Sequence, residues 1–406
     1  MGRAPHEPGK HTPGSEEGQV SSPRGPGHEQ DHAHGARAHS TDPAAPDRDG
    51  GETFSPVHIR RGTHEPGRRL PALAAMVVLA AACVIGAVLT WMYAFGAMRA
   101  YTGPALLALL LGVITYLVGF FVLRRIRPVH PPRLTPAVLA TAWGLLAATG
   151  VAAYANTGMG GLWGQTLGYE TAGEWTAALT APLNEELIKL AGVVVIAVAF
   201  PRSLRSPVDG FVIGALVGLG FEVAENFLYA LNSITLAGAL APATSVTDST
   251  VVRVVLTGPG SHWAMTAIAG TAVGVLATVD WRPGLRRTLG ALGLVLLAML
   301  GHFFFDSPLL GDGLGAIAAK VAFVFLSAVA VYFTARHTYR SRVRKSLAQQ
   351  GSALGMRRAD AKKLASRHGR NKALAHVAQP ERPDVRRRQE QMVEEAEDRA
   401  AQQALN

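Results

Sequence analysis

Between about residues 70 and 337 the chain is a series of apolar runs separated by short charged or glycine- and proline-rich breaks, and it is polar on both sides of that block. Several runs reach the roughly 20 residues that a helix needs to span hydrocarbon. Eight are counted, at about 71–97, 104–123, 137–155, 174–200, 209–231, 251–279, 287–306 and 313–335. The pattern predicts an all-α fold, a polytopic membrane helix bundle of about eight transmembrane helices over residues 70–337. A disordered tail (1–69) precedes it and a charged, polar tail (338–406) follows.

Residues 1–69 are rich in Pro, Gly, His, Asp and Arg and poor in large apolar residues, so they bury too little surface to offset their ordering entropy. Eight of the fourteen histidines lie there, including His28, His32, His34 and His39, a composition that suits a polar tail better than a metal trap. No signal peptide is expected, because the tail has no apolar core. The C-terminal tail could form polar helices or lie on anionic lipid, and reads best as solvated. The single cysteine, Cys83, excludes an intrachain disulfide and a cysteine zinc site.

Net charge is +10, but the basic residues sit where they would fix topology, so no nucleic-acid partner is expected. Arg124, Arg125, Arg127 and Arg133 follow the second run, Arg202 and Arg205 the fourth, and Arg282, Arg286 and Arg287 the sixth. Connections after the third and seventh runs carry no Lys or Arg, and only Arg99 breaks the alternation. Arg60, Arg61, Arg68 and Arg69 flank the block before, and Arg336, Arg340, Arg342 and Arg344 after. The positive-inside rule then predicts a multi-pass cell-membrane protein with both termini cytoplasmic.

Charges inside the runs carry the functional argument, since each central one costs about 2.5–3.5 kcal/mol to insert. Glu185 and Glu186 are adjacent and point about 100° apart on a helix, with Lys189 one turn on and within reach of either. One can be paired and the other free; a buried ion pair locking two helices is the alternative. Pro182 precedes them and can kink the helix. Glu222 and Glu225 share a face, followed by Asn226, in a run whose Gly210, Gly214, Gly218 and Gly220 allow close helix approach. Like charges there call for a cation, Lys189 or a metal. Gly258-Pro259-Gly260 should break the helix just before His262, with Thr266 one turn on, and His302 and Asp306 have the same spacing. Counting residues from the helix ends places these groups together in the outer half of the bilayer.

Glu185-Glu186-x-x-Lys189, Phe221-x-x-x-Glu225-Asn226, His262 and His302-x-x-x-Asp306 together resemble the four motifs of the PrsW family of intramembrane proteases, over about residues 170–310. That family is related to the CAAX prenyl endopeptidase and bacteriocin-processing group, which more often has a histidine where Glu225-Asn226 stands. The resemblance implies a protease domain over 70–337 that hydrolyses peptide bonds in or near the bilayer. Its substrate would be a membrane protein, such as a regulatory protein of the anti-sigma factor kind. Glu185, Glu186, Glu225, His262 and His302 are the candidate catalytic residues, supported by Lys189, Glu222, Asn226 and Asp306.

The chemistry suits those residues. A glutamate can take a proton from water, and the histidines either bind zinc or donate hydrogen bonds to the oxyanion without metal. There is no His-Glu-x-x-His and no Gly-x-Ser-x-Gly, so neither a zincin helix nor a serine nucleophile is expected. A secondary transporter using the buried Glu and His as a proton or cation path is the rival, disfavoured by the lack of an internal repeat.

Overall fold

The structure, a computed structural model, describes residues 69–402 except 279, 280 and 312. The expected disordered tail and its histidines lie outside the described residues, apart from Arg69. Thirteen helices follow in order: α1 (Arg69–Ala100), α2 (Thr102–Arg125), α3 (Leu134–Ala142), α4 (Thr149–Leu167), α5 (Tyr169–Ala199), α6 (Pro207–Leu236), α7 (Pro242–Val251), α8 (His262–Ala277), α9 (Leu285–Asp306), α10 (Leu314–Ala353), α11 (Arg358–Lys363), α12 (Arg367–Ala375) and α13 (Arg382–Gln402). No strand occurs among the described residues.

Among the described residues, six segments are long and apolar enough to cross a membrane: α1, α2, α3 with α4 (Leu134–Leu167), α6, α9 and α10. The other two expected crossings differ for identifiable reasons. Helix α5 has the length but carries Glu170, Glu174, Glu185, Glu186 and Lys189. The run at 251–279 is split. Wide π-type turns over Val252–Thr257 lead into a 3-10 turn at Gly258–Gly260 and an extended Ser261, and α8 starts afresh at His262. Broken backbone of this kind is tolerated at membrane depth where protein surrounds it.

Helix α6 is the axis of the bundle. Ser206 caps it, its hydroxyl accepting from the Asp209 N–H, and Pro207 occupies the first turn where a missing N–H costs nothing. Nearly every side chain from Val208 to Ala224 is buried. Its glycines decide how the neighbours pack. A Cβ on Gly214 would lie 2.3 Å from the Thr266 carbonyl oxygen, and one on Gly218 would lie 2.4 Å from that of His262. The α6 and α8 backbones are therefore in direct contact, as small residues allow in apolar surroundings. Gly220 does not share that face. Two residues past Gly218 the helix has turned about 200°, and Gly220 meets the Thr141 carbonyl of α3 instead. Across the same contact Trp143, at the start of a second wide turn (Trp143–Ala148), donates its indole N–H to the Ile188 carbonyl of α5 at 2.9 Å. Helix α5 is held at the depth of its charged residues by that bond. It runs through Pro182 without interruption.

Residues 338–402 fold rather than trail. Helix α10 continues past its apolar part, and Tyr339, Val343 and Leu347 pack with Leu364 of the turn after α11 and with Val393 and Ala396 of α13. A polar cluster ties this small core to the bundle. Arg127 donates to Asp209 in the first turn of α6 (2.5 Å), to Glu397 (3.0 Å) and to the Tyr339 hydroxyl (3.0 Å). Glu397 also accepts from His130 at 3.1 Å and from the Tyr339 hydroxyl. Burial alone would push the Glu397 carboxyl up, but the His130 hydrogen bond and the Arg127 charge outweigh it and hold it at about 2.

Two outcomes are expected. Gly214→Val should force α6 and α8 apart, because the obstructing atom is backbone, and lower the detergent-solubilised melting temperature by the equivalent of about 1–3 kcal/mol. An unchanged melting temperature would refute the contact. Because the folded Glu397 carboxyl titrates below its ordinary 4.5, its contribution to docking is full above about pH 4.5 and is lost as pH falls through about 2. Energy transfer between dyes on α10 and α13 should report that undocking. Glu397→Gln should remove the pH dependence and weaken docking at neutral pH.

Candidate active site

Lys189 is the innermost charge of the bundle, with 0% of its surface exposed. Helical spacing puts it one turn after both glutamates, and the structure separates their roles. The ammonium lies 2.6 Å from Glu186 Oε1 and 3.5 Å from Glu185 Oε2, so Glu186 is its ion-pair partner. It also hydrogen-bonds His262 Nδ1 at 3.0 Å and rests over the Phe221 ring, 4.3 Å from its centre. An ammonium only donates, so His262 Nδ1 accepts and its Nε2–H donates to Glu225 Oε2 at 2.8 Å. The chain thus brings α5, α6 and α8 together through one imidazole.

His302 arrives from α9. Its Nδ1–H donates to Glu186 Oε1 at 3.0 Å, and its ring centre lies 5.1 Å from that of His262. Its Nε2 faces Asp306 Oδ2 at 3.3 Å and Glu185 Oε2 at 3.7 Å. Asp306, one turn on, is thus within reach of the ring, as the i, i+4 spacing allows. Thr266 leaves the side of His262 and donates to Glu186 Oε2 at 3.4 Å. Both oxygens of Glu186 therefore have donors, in Lys189, His302 and Thr266.

Glu185 is different. Its Oε1 accepts from the Asn156 amide at 2.8 Å, whereas Oε2 is buried with no hydrogen-bond donor. That oxygen lies 3.7 Å from His262 Nδ1 and 3.7 Å from His302 Nε2. Glu185, His262 and His302 each offer one ligand atom within 4.8 Å of the others, a group that could hold a metal ion. Carboxylate and imidazole are an ordinary donor set for a divalent transition metal. A buried oxygen lacking a donor, facing two imidazole nitrogens, fits a cation between them.

Glu222 and Glu225 do not act as a pair. Glu225 turns to His262 and to Arg253, which is its cation in place of Lys189 or a metal. Glu222 accepts from the Ser261 hydroxyl at 2.6 Å and touches neither histidine. Asn226 accepts from Arg253 Nε at 2.5 Å and so positions the arginine. Sequence reasoning missed Arg253 and Asn156. Arg253 is a charge inside the apolar stretch Val251–Leu256, which should have been weighed like the glutamates. Asn156 lies one residue beyond the expected end of the third span and gave no comparable signal. The cluster is partly exposed at Glu225 with Arg253 and at Asp306, whose side chain borders a cavity of about 420 Å³ also lined by Glu174, Thr257 and Lys320.

No curated protein and no solved structure matches the chain. Residues 132–334, half of its length, match the family model described as PrsW family intramembrane metalloprotease. That range starts just ahead of α3, ends within α10 and contains every residue of the cluster. The order of the motifs, the four helices that bring them together and the buried Glu–His–His group all agree with that match, and the chain belongs to the PrsW family of intramembrane metalloproteases.

Proposed function

We propose that Glu185 is the general base of an intramembrane endopeptidase acting on membrane-embedded or membrane-proximal proteins. The observation that carries this is the donorless Glu185 Oε2, directed at His262 and His302 and, among the described residues, the one buried oxygen of the cluster without a partner. Asn156 orients the carboxylate through its other oxygen, which leaves Oε2 free to take a proton from water. Glu186 is structural, fixing Lys189 and His302. Glu225 with Arg253 fixes the tautomer and angle of His262. A zinc ion held by His262 and His302 beside Glu185 would supply Lewis-acid polarisation of the scissile carbonyl. Lys189 would then release His262 Nδ1 and remain on Glu186. Asp306 supports the outer edge of His302, where the adjoining cavity offers water and an extended peptide a way in. A single-span regulatory protein of the anti-sigma factor kind suits such a site.

The eight runs, the loop charges and the matching helices support eight crossings, with α5 and the broken 251–279 stretch as the fourth and sixth, and both termini cytoplasmic. Reporter fusions after Gly238 and after Arg340 should read extracytoplasmic and cytoplasmic respectively. The opposite result at either position would overturn this topology.

Glu185→Gln should lower cleavage of a single-span substrate in detergent at least about a hundredfold, with membrane insertion unchanged. His262→Ala and His302→Ala should each lose cleavage and zinc together. The double variant should be no worse than either single one, since groups acting as a unit are not additive. Wild-type cleavage by Glu185→Gln would exclude it as the base. Active wild-type enzyme that purifies without metal and resists chelators would exclude the ion.

A further inference from the structure

One face of α10 changes character along its length. Phe325, Ala328, Val329, Tyr332 and Phe333 recur at three- and four-residue spacing and line an apolar cleft of about 760 Å³. The same stripe continues as Arg336, Arg340 and Arg344, which line a second cavity of about 760 Å³. Phe333 lines both, so the two adjoin, and Arg336 lies against its ring 5.8 Å from the centre. Arg358 and Lys362 of α11 form the opposite wall of the basic cavity. No acidic side chain lines it among the described residues. This basic half lies outside the segment matched by the family, which ends at 334.

The apolar half decides the occupant. Along α2 it runs from Ile114 to Ile126, roughly 18 Å at 1.5 Å per residue. Its lining is apolar apart from Thr115, the Tyr332 hydroxyl and Glu222, which suits acyl chains. Its far end reaches Pro259, Trp263 and Glu222, the wall of the segment that carries His262. At its basic end, cations immediately beyond an apolar stripe match the phosphate of a lipid headgroup.

We propose that this stripe binds an anionic phospholipid, with its phosphate between Arg340, Arg344 and Lys362 and an acyl chain in the cleft beside Val329. The proposal rests on the stripe and its two cavities and is independent of the protease mechanism. The test is native mass spectrometry of the full-length protein in detergent, offered phosphatidylglycerol or phosphatidylcholine with identical chains. The wild type should retain phosphatidylglycerol in marked preference. Removing two cations in Arg340→Gln/Arg344→Gln should cut that preference roughly 30-fold. Val329→Trp should lower retention of both lipids by filling the cleft. Arg358→Gln/Lys362→Gln, on exposed α11, should reduce the preference in a protein whose helical core is untouched, and this decides the matter should the first pair fail to fold. Equal retention of the two lipids by the wild type, or an unchanged preference in the α11 pair, would overturn the proposal. So would inorganic diphosphate displacing the lipid and raising the melting temperature as much as it does, which would mark a site for a soluble anion.

Discussion

Everything in the centre of this molecule answers to one buried ammonium. Lys189 has no exposed surface, and its charge would be prohibitive without compensation. Compensation comes from helix α5 itself, through Glu186 one turn back, and from an imidazole two helices away. Glu186 in turn receives His302 and Thr266. A single ion pair thus fixes the mutual positions of α5, α8 and α9. It also divides the two adjacent glutamates: the one drawn to the lysine is spent on structure, and the other is left with a free oxygen at the same depth.

That arrangement needs α6 and α8 closer than ordinary side chains permit. Gly214 and Gly218 remove the obstruction, and the resulting backbone contact puts Glu222 and Glu225 one and two turns beyond, alongside the break at Gly258–Gly260. The break supplies what a continuous helix lacks. It turns Ser261 toward Glu222 and starts α8 at His262, so that the imidazole reaches both Lys189 and Glu225. At its other end α6 is clamped by Arg127 on Asp209, which also engages the C-terminal helices. A stiff helix anchored outside the apolar layer therefore carries the carboxylates inside it.

Much of this was legible as pattern. The apolar runs revealed a helical membrane domain, and charges that should not be there marked Glu185, Glu186, Lys189, Glu225, His262 and His302. Sequence spacing could say that Lys189 reaches either glutamate; only packing could choose Glu186, because the choice depends on His302 and Thr266 from distant helices. The same holds for Glu222, which spacing joins to Glu225 but Ser261 draws aside. The C-terminal helices were the least legible part. Their surface is so charged that hydropathy conceals the small core of Val343, Leu347 and Val393, and nothing local announces that Glu397 will meet Arg127. The transporter reading gives way to the family assignment, which names a protease.

Charge accounting gives the cluster its chemical direction. Glu185, Glu186, Glu222, Glu225 and Asp306 face two permanent cations, Lys189 and Arg253. Low dielectric does not tolerate three uncompensated negative charges, so protons or a further cation must enter. Glu186, Glu225 and Glu222 already have donors in Lys189, Arg253 and Ser261. Ser261 gives Glu222 a hydrogen bond but no charge, so the shortfall is shared by Glu222 and the small volume between Glu185 Oε2, His302 Nε2 and Asp306 Oδ2, where acceptors outnumber donors. A site deficient in positive charge, packed among apolar helices and bordering a cavity at Asp306, favours either a divalent ion or a proton taken from water. Hydrolysis requires one or both of these at the scissile bond.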